Sequence, residues 1–440
     1  MCHIKESVWS ERPPNESLDI NTGAVAGCIL TGTGYTQLQE SLAAMNIPCM
    51  AKKTYENIYE TITEGLEKAA EESTTAAANE ERELALQRNE VINGIPYIAV
   101  PDDGSWMKRS YRTGRYDSLS GVGTICGART GKVLHMSVRN KYCSICIKAE
   151  KLNKEPAIHK CYKNWGRDCS SRSMEADTNV EGFKKSVKEH GVIYSAFIAD
   201  GDSSMYRKII QANPYPDVFI EKIECRNHSL RNLATKIKDI AKTKGRLGKL
   251  RHVIDSRILR IRTAVTKAVQ YRLEEQTSMQ EKIVSLKLDL NNVISHVFGE
   301  HNECAKIGYF CDGSQKENKE NYIPQLKKCG LYEKLQNTLK YLTWNAKSLL
   351  QNKDSNRVET FKSVISKCIG GKRINFGLKE SYQTRCYAAV VIFNTGKPIS
   401  CLSNILETKP GKVAVEFENK KRHAQIAYGT KKRSVIRKVK

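Results

Sequence analysis

Acidic residues are in short supply in this sequence. Across 440 residues, 48 Asp and Glu stand against 72 Lys and Arg, giving a formal net charge of +24 and a pI of about 9.4. An excess of that size argues for a polyanionic partner and is the electrostatic footprint of a nucleic-acid binder. Long apolar runs are missing too, and no secretory signal or lipidation motif is seen. A basic membrane-surface protein is therefore the weaker reading, no membrane partner is expected, and a soluble nuclear protein is. The 15 cysteines lack the even number and regular spacing of a disulfide framework. Several lie in ligand-like pairs beside histidines, which points to a reducing compartment and metal thiolates. The length is enough to bury a large core in two or three structural units.

The pattern divides the chain. Residues 1–95 read as a separate, mainly helical unit whose long polar helix ends at Asn-Gly; its mostly acidic charge suits dimerisation or an arm packed on the core. Residues 96–228 turn to mixed strand and helix, in the order three strands, helix, strand, helix, strand. Thr130-Gly131 is the turn between the second and third strands. An α/β fold with a mixed sheet covered by helices follows, with a site expected at the strand ends. Within it, 140–172 is an insertion rich in Lys and Asn with little to bury. Residues 229–340 are a helical insertion, strongly basic as far as about 298, where apolar residues recur at three- and four-residue steps between Lys and Arg. Arg257, Arg260 and Arg262 are its expected DNA contacts. Residues 341–400 return to the core. The tail, 401–440, carries two Lys-Lys-Arg clusters and is expected to be disordered at its end, serving as a nuclear localisation signal or DNA-binding arm.

Three acids stand out. Asp103 lies in the strand-like YIAVPDDGSW, Asp200 ends VIYSAFIADGD, and Glu359 falls in the helical NRVETFKSVISKC. Singly, each has a plain reading: turn-forming aspartates, with Asp202 capping the helix from Ser203, and a solvent-facing glutamate. Together, carboxylates drawn from distant parts of a chain repel one another unless divalent cations lie between them. Two Mg²⁺ or Mn²⁺ ions so held activate a water or a 3′-hydroxyl and stabilise the leaving oxygen of a phosphodiester. The combination suggests strand cleavage and transfer, with Asp202 the alternate to Asp200.

The metal-like clusters are more local. Cys143-x2-Cys146-x12-His159-x-Cys161 provides four soft or borderline ligands, the number and type for a closed structural Zn²⁺ site, here a zinc-knuckle-like one that ties down the 140–172 insertion. A second candidate joins Cys225-x2-His228 to His301-x2-Cys304, with Cys311 as a substitute fourth ligand, and one ion there would fasten both ends of the basic helical stretch. The alternative is a buried Cys and an ordinary His at a strand-to-helix junction.

PDDGSW, the Cys-x2-Cys…His-x-Cys segment followed by SSRSMEA, ADGDSS, ECRNHSLRNL, FGEHNEC and SNRVETFKSVISKCIGGKRINFG, in this order, resemble the Mutator-like transposase domain of the arthropod type. The resemblance runs from about Trp9 to about Gly396. It implies a ribonuclease-H-like core interrupted by a helical insertion, with an Asp-Asp-Glu triad and a Cys-x2-His motif after the fifth strand. Asp103 matches the first aspartate, Asp200 the second and Glu359 the glutamate. No separate sequence-specific DNA-binding module is seen ahead of the core. The implied activity is DDE transposition on double-stranded DNA, at element ends and target, by a homo-oligomer using two Mg²⁺ or Mn²⁺ ions. A domesticated, catalytically inactive DNA- or chromatin-binding protein is the alternative, and a nuclease without strand transfer is a third reading.

Overall fold

The computed structural model describes residues 17–438 apart from 108, 111–116, 200–202, 244–246, 310, 312–319, 373 and 378–379. The chain divides into two compact units: Met1–Ser195, Ser204–Ile220 and Asn356–Lys440 form the first, and Ala196–Ser203 with Glu221–Ser355 the second.

Three helices open the chain: α1 (Ile20–Thr31), α2 (Tyr35–Ala44) and the long α3 (Lys52–Leu86). Asp19 caps α1 by accepting the Thr22 N–H at 2.9 Å, and Gly32, at φ 83°, ends it. The buried face of α3 is rich in alanine (Ala69, Ala70, Ala77, Ala78 and Ala85), which lets it lie close to its neighbours. Its Glu81 carboxylate accepts the N–H groups of Arg129, at 3.0 Å, and Thr130, at 2.7 Å, so it carries the turn of a core hairpin. The N-terminal helices are thus built into the first unit, closer to the expected arm packed on the core than to a unit apart. Their acidic charge is partly spent inside. The Asn-Gly step ends no helix either. Asn93 and Gly94, both at positive φ (50° and 79°), turn the chain from β1 (Val91–Ile92) into β2 (Ile95–Trp106), the geometry two-residue hairpins favour.

After the short pair β3 (Arg109–Ser110) and β4 (Asp117–Ser118) come β5 (Ser120–Cys126) and β6 (Val133–Asn140), then α4 (Ser144–Lys151), α5 (Ser171–His190), β7 (Ile193–Ala199), α6 (Ser203–Ala212) and β8 (Glu221–Glu224). A six-stranded mixed sheet results, in the order β6-β5-β2-β7-β8 with β1 beside β2. β2, β5 and β6 pair antiparallel, placing Asp103 opposite Thr124, while β7 and β8 pair in parallel. One face of β5 meets α5 closely. A Cβ on Gly123 would stand 1.7 Å from the Thr178 hydroxyl, so only glycine permits that approach.

The second unit continues through α7 (Arg226–Lys242), α8 (Gly248–Ser256), α9 (Ile258–Glu274), α10 (Met279–Val297), α11 (Ile323–Lys328), α12 (Leu331–Trp344) and α13 (Ala346–Gln351). Its core gathers Leu233, Ile261, Val265, Leu290, Ile294 and Leu335 with Leu342, Leu349 and Leu350. The last three explain why the insertion runs on to Ser355 rather than ending near 340: α12 and α13 complete its core. Deep inside, the Arg272 guanidinium grips both oxygens of Asp289 at 2.6 Å.

The first unit closes with α14 (Asn356–Cys368), α15 (Ser381–Thr395), α16 (Pro398–Ile405) and α17 (Lys412–Lys438). Val358, Phe361 and Ile365 of α14 join Val122, Val133 and Val390 in one core cluster, each burial contributing about 1.5–3 kcal/mol. Arg385 of α15, 1% exposed, donates to the carbonyls of Cys368 at 2.7 Å and Ile29 at 3.1 Å. One guanidinium thereby satisfies orphan carbonyls at the ends of both α1 and α14. The tail is helical rather than disordered where it is described. The Glu418 carboxylate of α17 accepts the Ile399 N–H at 2.7 Å and the Ser400 hydroxyl at 2.5 Å, a negative charge at the N-terminus of α16. Among the described residues, no helix is long and apolar enough to cross a membrane.

Candidate active site and metal centres

Strand alternation sends the side chains of Asp102 and Asp103 to opposite faces of β2. Asp103 is partly exposed; its Oδ1 accepts the Gly104 N–H at 2.8 Å and its Oδ2 pairs with the Lys362 ammonium of α14. Glu359 precedes Lys362 by three residues, so the two share a helix face, and it lies in the first turn of α14, where the helix dipole favours a carboxylate. The fold thus carries the helix of the third acid onto the strand of the first. Asp200 and Asp202 lie outside the described residues.

Two more acids border Asp103, and sequence reading passed over both. Asp102 is 5% exposed; one oxygen accepts from Asn179 Nδ2 at 2.7 Å, and the other, Oδ1, has no partner. Burial, then Glu175 and Asp103, push its carboxyl well above the usual range, with Lys362 pulling the other way. Glu175 of α5 leans over the next strand residue, since a Cβ on Gly104 would lie 2.4 Å from its carboxyl carbon. The visible signal was the Asp102-Asp103 doublet itself, because alternation forces one of the pair to face α5. Asp102 and Glu175 thus meet on the α5 face of β2, while Asp103 meets Lys362 on the α14 face.

The first cysteine cluster assembles as its spacing requires. Cys143 precedes α4, whose first turn carries Cys146, and the later loop returns His159 and Cys161. His159 Nε2 lies 3.1 Å from Cys143 Sγ and 3.5 Å from Cys146 Sγ, and the Cys146 and Cys161 sulfurs are 3.5 Å apart. A tetrahedron with arms of about 2.0–2.3 Å has edges near these lengths. His159 Nδ1 sits 2.6 Å from the Ala157 carbonyl, which turns Nε2 toward the sulfurs as the outer partner of a metal-bound histidine does. Burial works against ionisation of Cys143, but the N–H groups of Cys146 and Ile145 and the His159 ring hold its thiol down at about 7. The four residues could hold a zinc ion.

The second cluster differs from its expected composition. His301 and Cys304 converge with Cys311 and with His296, not with Cys225 and His228. Cys225 is buried at the start of α7, its N–H on the Ala199 carbonyl at 3.0 Å and its sulfur accepting the Ser355 hydroxyl at 3.3 Å. The Cys-x2-His step thus marks a strand-to-helix junction rather than half of this cluster. His296, on the last turn of α10, was missed because it stands outside any Cys-x2-His spacing.

With these features in place, a comparison with protein families matches residues 1–311 to the Mutator-like transposase. The chain belongs to the Mutator-like transposase family. The match spans β2, the whole sheet and both cysteine clusters and stops short of α14, so Glu359 rests on its placement in the fold. A comparison with curated proteins finds no match.

The structure separates the three arginines expected in the basic helical stretch. Arg257 is a packing residue: it donates to the Val297 carbonyl at 2.7 Å and lies over the rings of Tyr322, at 4.7 Å, and Phe298, at 5.3 Å. Arg262 is half-buried, with Nε out of reach of any acceptor. Arg260 is exposed. It lines a groove of about 650 Å³ with Lys267, Gln270 and Tyr271.

Proposed function

We propose that this chain is a DDE transposase on a ribonuclease-H-like core. The observation that carries the reading is the meeting of Asp103, on the central strand, with the Glu359 face of α14, from a segment that follows the whole helical insertion. The sheet supports it: counted without β1, the strands lie in the order 3-2-1-4-5, the first three antiparallel and the last pair parallel. Asp103, Asp200 and Glu359 are the proposed ligands of two Mg²⁺ or Mn²⁺ ions, with Asp202 the alternate second aspartate. Bound there, such ions supply the Lewis acidity for water attack in strand cleavage and for 3′-hydroxyl attack in joining. The protein's own part is positional. The Gly104 N–H fixes one Asp103 oxygen, the Lys362 ammonium offsets charge on the other, and the first turn of α14 presents Glu359. The Cys143, Cys146, His159 and Cys161 set is the proposed structural zinc site, holding the insertion before α5.

The proposed partner is double-stranded DNA, bound as element ends and target. Joining two ends to a target calls for more than one active site, hence a homo-oligomer, and the Lys-Lys-Arg clusters of α17 support a nuclear location. A catalytically silent DNA- or chromatin-binding protein that keeps the fold is the second reading. Incubation with DNA carrying the element's flanking repeats, target plasmid and Mg²⁺ separates the cases. Joined product supports the transposase, cleavage without joining a plain nuclease, and binding without cleavage the silent protein.

A further inference from the structure

We propose that His296, His301, Cys304 and Cys311 form a second zinc site, built within the helical second unit and independent of Cys225 and His228. Their ligand atoms all lie within 4.8 Å of one another. Cys304 Sγ is 3.7 Å from His296 Nδ1 and 3.8 Å from His301 Nδ1, and Cys311 Sγ is 3.4 Å from His301 Nδ1. These three separations are close to the edges of a Cys₂His₂ tetrahedron around one ion.

The surroundings have the features of a supporting shell. Asn292 Nδ2 points at Cys304 Sγ from 3.3 Å, a donor for a thiolate. The rings of His301 and Tyr309 meet the His296 ring edge-on at 4.9 Å and 5.1 Å, fixing its orientation. Both His301 and Cys304 are buried, although the segment that bears them is a run of turns with little apolar bulk of its own. That run is held at Ile307, whose carbonyl accepts from Arg272 Nη2 at 3.0 Å, the same guanidinium that grips Asp289 of α10. A metal ion supplies the missing clamp, pinning the turn segment to the end of α10. Because His296 also lines the groove that holds Arg260 and Lys267, the site sets one wall of that groove.

The test is zinc content of the purified full-length chain by plasma mass spectrometry, with Co²⁺ substitution as a second readout. Wild type should carry two zinc ions, Cys304→Ser one, and Cys146→Ser combined with Cys304→Ser none. Cys225→Ser and His228→Ala should each retain two. Should Cys304→Ser fail to fold, His301→Cys, which keeps a ligand at that place, should retain the wild-type zinc content and shift the Co²⁺ bands toward greater sulfur ligation. Zinc content unchanged by Cys304→Ser, or loss of an ion on Cys225→Ser as readily as on Cys304→Ser, would overturn the assignment; a single ion in wild type that Cys304→Ser removes would uphold this site and count against the Cys143 one. None of these outcomes depends on DNA cleavage.

Discussion

Removing the Lys362 ammonium probes how the acidic site stores its charge. Two unit charges about 4 Å apart attract by about 4 kcal/mol at an effective permittivity of about 20. The Asp103 and Lys362 side chains are 26% and 29% exposed, however, so screening and lost rotamer freedom cut the net contribution to about 0.5–1 kcal/mol. Lys362→Met should therefore lower folding stability by no more than about 1 kcal/mol, measured by urea unfolding without metal. A divalent ion binding at Asp103 in this variant displaces no ammonium. Its affinity should rise by the same energy, about two- to fivefold. Calorimetric titration with Mn²⁺ at low and high salt is the assay, and the gain should shrink as salt screens the partly exposed pair. Weaker Mn²⁺ binding in the variant, or a stability loss above about 3 kcal/mol, would refute the view that Lys362 holds a cation's place.

Other perturbations read other parts of the account. Cys146→Ser should remove one zinc ion and speed hydrogen exchange across 144–161 while leaving exchange in α14 and β5 unchanged; equal loosening of the core would count against a local clamp. Arg257→Glu should destabilise the second unit by about 1–3 kcal/mol, because the Val297 carbonyl loses its donor and a carboxylate takes the place of a cation over the Phe298 and Tyr322 rings. Arg260→Glu should leave the thermal midpoint in place and weaken DNA binding with a shallower salt dependence, and an unchanged salt slope would place the DNA elsewhere. Asp102 has a carboxyl pKa raised on folding, so the native state holds the extra proton; that stability is present below the unfolded value of about 3.9 and is lost as pH rises through the folded value. Asp102→Asn removes the dependence, so its stability relative to wild type should climb from about pH 4 upward, and a falling difference would show that the sign is wrong.

Much of this architecture was legible from local pattern. The alternation in β2, the Gly131 turn between β5 and β6, and the paired ligands around Cys143 each express a short-range constraint that a few residues specify. What escaped depended on distant neighbours. Asn93-Gly94 reads equally well as a helix stop or a hairpin, and only β1 pairing with β2 decides between them. The acidic charge of the N-terminal helices suggested dimerisation or an arm because nothing in the sequence of α3 shows that Glu81 will meet the Arg129-Thr130 turn. Arg257 looked like its exposed neighbour Arg260 because helical periodicity does not reveal that Phe298 and Tyr322 lie over the α8–α9 junction. Glu175 and His296 were overlooked for the same reason: each acquires its role only when another element is laid against it.

The central claim, that Asp103, a second aspartate after β7 and Glu359 act as one metal-binding set, is tested most directly by single-turnover cleavage of DNA bearing the element's flanking repeats, with Mg²⁺ and with Mn²⁺. Asp103→Asn, Asp200→Asn and Glu359→Gln should each retain folding and DNA binding while lowering the cleavage rate by orders of magnitude, and Asp202→Asn should lower it far less. Equal loss at Asp200 and Asp202 would move or share the second ligand. Wild-type cleavage rates in Glu359→Gln or Asp103→Asn would contradict the account.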